Sequence, residues 1–171
     1  MKKLNLGCGK NYRDGWINLD YNTAYKTDII WDINKFPYPF KKEEFDYVYC
    51  SHILEHVNNI FKTLNEIERI LKKEGILHIM VPHFSNGNGY NDLSHKRFFG
   101  WFTFSQIIEG YYNQKFNFKL VHQKFNFLAK EHKILNFFFG CIFNILPKHF
   151  YERFLCWIFP VGEIELIIKK Y

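Results

Sequence analysis

Residues 3–20 read Lys-Leu-Asn-Leu-Gly-Cys-Gly-Lys-Asn-Tyr-Arg-Asp-Gly-Trp-Ile-Asn-Leu-Asp, and the fold is decided here. A run at 3–6 breaks on Gly7-Cys8-Gly9, and a second run at 16–19 ends on Asp20. Short apolar runs bounded by turn residues are the pattern of buried strands. The pattern recurs at 28–31, 45–50 and 76–81. Between the last two, Asn58 or Asn59 can cap a helix reaching about Lys73, with Ile60, Leu64, Ile67 and Leu71 on one stripe and Gly75 as the stop. Strand, helix, strand in that order predicts a right-handed crossover and a parallel sheet. Two further strands, at about 117–125 and 163–170, are expected to add an antiparallel pair at the C-terminal edge of this α/β fold.

The rest of the chain sets bounds on function. With 171 residues, 47% of them hydrophobic and 23% charged, the sequence is that of one packed domain, residues 1–171, and excludes a disordered or collagen-like protein. Cys8, Cys50, Cys141 and Cys156 form no CxxC pair, and no signal peptide stands ahead of Lys2 and Lys3. The expectation is four free thiols in the cytoplasm. Residues 1–85 are nearly neutral, with 12 basic against 11 acidic, whereas 86–171 carry 11 against 6. That bias suits an anionic partner, but it contains no Lys/Arg run or added RNA-binding module, so nucleic acid is disfavoured.

In an open parallel sheet, ligands bind beyond the carboxyl ends of the strands, and the first loop carries the glycines that permit close backbone approach. Gly7 and Gly9 occupy that loop. Asp20, ending the second strand, is placed to accept both hydroxyls of a ribose, and Asp32, ending the third, to meet an adenine edge. A nicotinamide fingerprint needs a third glycine opening a helix and an acid about 20 residues on. Only ten residues separate Gly9 from Asp20, so a short turn must replace the first crossover helix.

With Asn-Leu-Gly-Cys-Gly at 5–9, Gly-Trp-Ile-Asn-Leu-Asp at 15–20 and Leu-Glu-His at 54–56, the sequence resembles the class I S-adenosylmethionine-dependent methyltransferases, especially those of polysaccharide biosynthesis clusters. The resemblance covers 1–82 and extends through Asp92-Leu-Ser-His-Lys-Arg-Phe-Phe. It implies a Rossmann-like methyltransferase fold and a cofactor pocket lined by Gly7, Cys8, Gly9, Asp20, Asp32, Ile33 and Ser51. The acceptor it implies is a sugar hydroxyl, free or nucleotide- or lipid-linked. RNA O-methylation is one alternative. A non-catalytic S-adenosylmethionine-binding protein that docks a membrane or partner is the other.

Histidines gather at the same strand ends. If a helical turn starts near Ser51, then His52, Glu55 and His56 share one face. His83, after the fifth strand, and His95, from the long loop 83–100, could join them. A neutral histidine can take the proton of an attacking hydroxyl or amine. The same set, His52, Glu55, His56 and His83, has the chemistry of a divalent metal site. It is similar to the Glu-x-x-Glu-His metal pattern of ubiquinone-pathway and small-RNA methyltransferases, with His52 in place of the first Glu. A capping or loop-tethering role for Glu55 stays open. Asp92, His95, Lys96 and Arg97 are candidates to clamp an acceptor, with Lys96 or Arg97 meeting a phosphate, while His78, His122, His132 and His149 read as structural.

From Ile134 to Pro147 no residue is charged. A helix here reaches about 20 Å, short of the ~30 Å hydrocarbon core. The insertion 127–160 is therefore expected to be a lid, a homodimer face, or a peripheral contact with the inner membrane surface through 134–160.

Overall fold

A computed structural model describes residues 1–127 and 133–171. Seven strands form one sheet: β1 Lys3–Leu6, β2 Ile17–Asp20, β3 Ile29–Ile30, β4 Phe45–Ser51, β5 Leu71–Pro82, β6 Phe118–Asn126 and β7 Glu163–Lys170. Their spatial order is β3-β2-β1-β4-β5-β7-β6. The first five strands run parallel, and β7 inserts antiparallel to both β5 and β6. The expected edge pair is present, with β7, the last strand in sequence, lying inside β6.

Alternation places Leu4, Leu6, Val48, Cys50, Leu77, Ile79, Val81, Ile164, Leu166 and Ile168 in one continuous core. Helix α1 (Ile60–Ile70) covers it with Leu64, Ile67 and Ile70. Asn59 caps α1 by accepting from the Lys62 N–H at 3.0 Å. The helix stops earlier than its sequence periodicity predicts: Leu71 is extended and already pairs with Phe45 of β4. Two short helices follow β5, α2 (Asn88–Asn91) and α3 (Thr103–Ile108), the latter burying Phe104 and Ile107.

The ten-residue link between β1 and β2 holds no helix, and buried asparagines secure it instead. Asn18 Oδ1 accepts from the Arg13 N–H and from Asn5 Nδ2, while Asn18 Nδ2 donates to the carbonyls of Arg13 and Trp16 and to Asp28. Asn5 Nδ2 also reaches the Asn11 carbonyl. Two side chains thus supply the backbone partners that helical hydrogen bonds would have supplied. With that crossover so short, Trp16, Tyr47, Tyr49 and His78 line an open cavity of about 740 Å³ on the other sheet face. There His78 bridges the Tyr47 hydroxyl (2.7 Å) and Glu165 (3.0 Å), and the His78 bond holds the Glu165 carboxyl well below its ordinary range.

After β6 come α4 (Lys133–Phe143), α5 (Lys148–Phe150) and one π-helical turn, Tyr151–Leu155. Phe143, Tyr151 and Cys156 enter the core, so part of the insertion is a packed cover. The expected role of His132 concerns a position outside the described residues.

Candidate active site

A cavity of about 520 Å³ opens at the carboxyl ends of β1, β2 and β4. Gly7 forms its floor. At φ +71° with Ile53 side-chain carbons 2.4–2.9 Å from where a Cβ would stand, this position admits no side chain. Gly9, also at positive φ, faces open space instead. Its N–H donates to Asp20 Oδ2 at 2.8 Å, and the other Asp20 oxygen accepts from the Asn22 N–H at 2.9 Å. The carboxylate is thereby aimed, with lone pairs left for a ligand hydroxyl.

Of the expected cofactor residues, Gly7, Gly9, Asp20, Asp32 and Ile33 line this cavity. Cys8 is buried beneath the turn, and Ser51 ends β4 without lining the cavity, which its neighbours His52 and Ile53 do. Leu93 and Ser94 of the 92–99 stretch also line it, as do Tyr21, Asn22, Tyr25 and Asn34, which no motif had marked. An aromatic residue directly after a strand-end acid, as Tyr21 follows Asp20, was the available signal. The rest arrive through loops.

The 51–58 segment corrects the expected helical turn. His52 takes a left-handed backbone (φ +52°), and the chain then turns so that the His56 N–H meets the Ile53 carbonyl. His52 still lies against Glu55, Nδ1 to Oε1 3.4 Å, while its Nε2 meets Glu163 at 3.2 Å. Bonding to Glu163 first, and Glu55 second, pushes the His52 pKa up to about 9. His52 is consequently an imidazolium at neutral pH. Glu163, 111 positions away, thus favours the charged ring over the neutral one that proton acceptance would need.

His56 presents a ring nitrogen with its hydrogen-bond direction fixed. Ser94 spends its one hydroxyl proton on Asp92 (2.6 Å), so the 2.9 Å contact between Ser94 Oγ and His56 Nδ1 has the imidazole donating. That tautomer leaves His56 Nε2 with its lone pair. His95 is ordered similarly: Nδ1 donates to the Gly89 carbonyl at 2.8 Å, leaving Nε2 4.0 Å from Glu55. Glu55 itself is fully buried, and its carboxylate forms ion-pair contacts with the His52 and His95 imidazoles, at 3.4 and 4.0 Å. Glu55, His56 and His95 each offer one donor atom, all within 4.8 Å of one another.

His83 lies apart from this group. It is buried, Nδ1 to Ser85 Oγ 2.8 Å and Nε2 to Glu152 3.1 Å, and joins the insertion to the end of β5. Arg97 is turned onto the carbonyls of Leu54 and Asn58, and Lys96, which lines the cavity, bonds Asn58 Oδ1. Together they lock the 92–97 loop over the 52–58 turn.

Residues 23–79 match the family model described as a methyltransferase domain. A crystal structure of an S-adenosylmethionine-dependent methyltransferase from Archaeoglobus fulgidus superposes over 99% of this chain and 86% of its own, with a TM-score of 0.64 at 18% identity. The chain thus has the fold of S-adenosylmethionine-dependent methyltransferases. A second such enzyme, from Mesorhizobium loti, covers 99% of this chain and 90% of its own, with a TM-score of 0.62 at 10% identity. An uncharacterized protein of Methanocaldococcus jannaschii is 40% identical over 93 residues, which is 46% of this chain and 39% of that protein. The chain therefore matches well under half the length of that relative. In the methyltransferase fold of this chain, the glycine turn, Asp20 and the histidine pair share one cavity. No helix among the described residues is long and apolar enough to cross a membrane.

Proposed function

We propose that this protein binds S-adenosylmethionine in the 520 Å³ cavity and transfers its methyl group to an oxygen or nitrogen acceptor. The observation that carries the reading is the pairing of Gly9, whose missing side chain leaves room for a ligand, with Asp20, whose carboxylate Gly9 aims. Asp20 would hold the ribose hydroxyls, and Asp32 and Ile33 the adenine end. Bound there, S-adenosylmethionine supplies an electrophilic methyl on a sulfonium sulfur. His56 Nε2 accepts the proton of the attacking acceptor, and the chain Asp92–Ser94–His56 fixes the tautomer that does so. Positioning of the two reactants supplies most of the rate. Lys96, bonded to the neutral amide of Asn58, places a cation on the cavity wall, which supports a phosphate-bearing acceptor such as a nucleotide- or lipid-linked saccharide.

A second reading gives Glu55, His56 and His95 a divalent cation. It is favoured by the buried carboxylate of Glu55 beside two imidazoles whose Nδ1–H groups are already engaged. In this reading His95 replaces the His52 and His83 of the sequence expectation.

Calorimetry with S-adenosylmethionine, and elemental analysis of the same sample, tests both readings. Micromolar binding that Asp20→Ala abolishes and His56→Ala retains, with transfer lost in His56→Ala, is expected. Absence of binding in the native protein defeats the proposal. Labelled methyl appearing in RNA in place of glycan pools would select the RNA alternative, and binding without transfer to any pool the non-catalytic one. About one equivalent of metal, lost in Glu55→Gln, establishes the second reading.

A further inference from the structure

Helix α4 is apolar on both sides, with Phe139 and Phe143 packed inward. Its polar Asn136 turns inward, accepting from the Phe127 N–H at 3.0 Å, and Asn144 just beyond it clamps both the N–H (2.8 Å) and the carbonyl (3.1 Å) of Phe125. Its outward positions are Ile134, Phe137, Phe138, Cys141 and Ile142, followed by Ile145 at 82% exposure. The next turns leave Phe150, Phe154, Trp157 and Ile158 exposed as well. A cluster of this size on a soluble surface marks an interaction site.

We propose that the surface built by residues 134–159 docks on an anionic lipid surface. Charge supports that occupant. Glu152 is the one acidic residue of 133–160, and it is turned inward onto His83 and the Trp101 N–H. Arg153 and His149 are exposed on the same segment, and residues 86–171 carry 11 basic against 6 acidic groups. Protein partners are met by surfaces with about one hydrogen bond per 100–200 Å². Among the described residues, the outward side chains from Ile134 to Ile145 offer nothing beyond one thiol, because Asn144 and Asn136 are turned onto the backbone of Phe125 and Phe127. Lipid needs no such groups, and exposed Trp157 suits the headgroup boundary. Eleven residues of α4 rise only about 16 Å, so the segment lies in the interface without crossing it.

Docking there has a consequence for the site. The Val161 N–H bonds Ser85 Oγ, and Glu152 bonds His83, fastening the apolar segment to the loop whose residues Leu93, Ser94 and Lys96 wall the cavity. An acceptor held by a lipid tail would then be presented beside the pocket. This consequence rests on the methyl-transfer reading, whereas the docking itself does not.

Co-sedimentation of the full chain with vesicles of phosphatidylcholine, alone or mixed with phosphatidylglycerol, tests the docking, alongside sedimentation velocity without lipid. Binding is expected to be strong on the mixed vesicles, weaker at high salt, and reduced about tenfold or more by the exposed double substitution Phe137→Ser and Phe138→Ser. Arg153→Gln should weaken binding to the mixed vesicles alone. Retained S-adenosylmethionine affinity in the double variant shows that it folds, and makes failure of docking distinguishable from failure of the enzymatic reading. A protein that ignores both vesicles overturns the proposal. So does a lipid-indifferent dimer that the double substitution dissociates, which would assign the face to a second copy of the chain.

Discussion

His52 sits between Glu163 and Glu55, and its raised pKa of about 9 carries a sign that can be worked out. A folded-state pKa above the ordinary 6.5 means that the folded protein favours the charged ring. The resulting stabilisation is complete below about pH 6.5 and disappears as pH rises through about 9. An NMR titration of the imidazole resonances should therefore find one histidine titrating near pH 9, and Glu163→Gln should bring it down towards its ordinary value. Failure of that resonance to move would show that Glu163 is not the cause. The two glycines of the first loop divide similarly. Gly7→Ala puts a Cβ onto Ile53 and should lower thermal stability, whereas Gly9→Ala meets no atom and pays only the left-handed backbone cost of about 1 kcal/mol. Gly9→Ala should nevertheless lose cofactor affinity, because the new methyl occupies the ligand's space, and calorimetry reads the difference. Glycines and acid were legible in the sequence because both act close to their own strand ends. Neither the protonation state of His52 nor the tautomer of His56 was, since each depends on a residue brought in from elsewhere: Glu163 for one and Ser94 for the other.

At the scale of elements, the missing first crossover helix is the feature with the largest structural consequence. Asn18 stands in for it with one fully buried amide serving Arg13, Trp16, Asp28 and Asn5. Asn18→Leu keeps the volume but leaves buried backbone groups of the link unpaired, at about 1–3 kcal/mol for each orphan. The expected loss is about 3 kcal/mol in denaturant unfolding, and because the link carries Gly9 towards Asp20, cofactor binding should fall with it. The ten-residue spacing announced that the helix was absent, but not what replaced it. Helix α1 shows the converse. Its periodicity continues to Leu71, yet pairing of Leu71 with Phe45 extends β5 back to that residue and ends the helix at Ile70. Sheet formation overrode a local preference.

At the scale of the molecule, cofactor and fold should be linked. A ligand that binds only the folded state stabilises it by about 2.7 kcal/mol at 100 times its Kd. For a domain of this size, that corresponds to a rise in Tm of about 5–10 °C. Differential scanning fluorimetry with S-adenosylmethionine should show it in the native protein and not in Asp20→Ala. The sheet order β3-β2-β1-β4-β5-β7-β6 also distributes roles across the molecule. Strands β1, β2 and β4 bring Gly7, Gly9, Asp20 and His52 to one cavity. β7 delivers Glu163 to His52, and the segment between β6 and β7 presents its apolar side outward.

From the sequence alone came the strand runs, the parallel crossover, the C-terminal pair, the glycine turn with Asp20, and the apolar character of 134–147. All of these are set by neighbours along the chain, through side-chain periodicity, turn geometry and spacing. Only the tertiary structure decided that His83 joins the insertion while His95 joins Glu55 and His56. The same is true of the cation at His52 and of the helix that faces its asparagines inward. Each of these is fixed by groups distant in sequence, as burial removes the water that would otherwise have satisfied them.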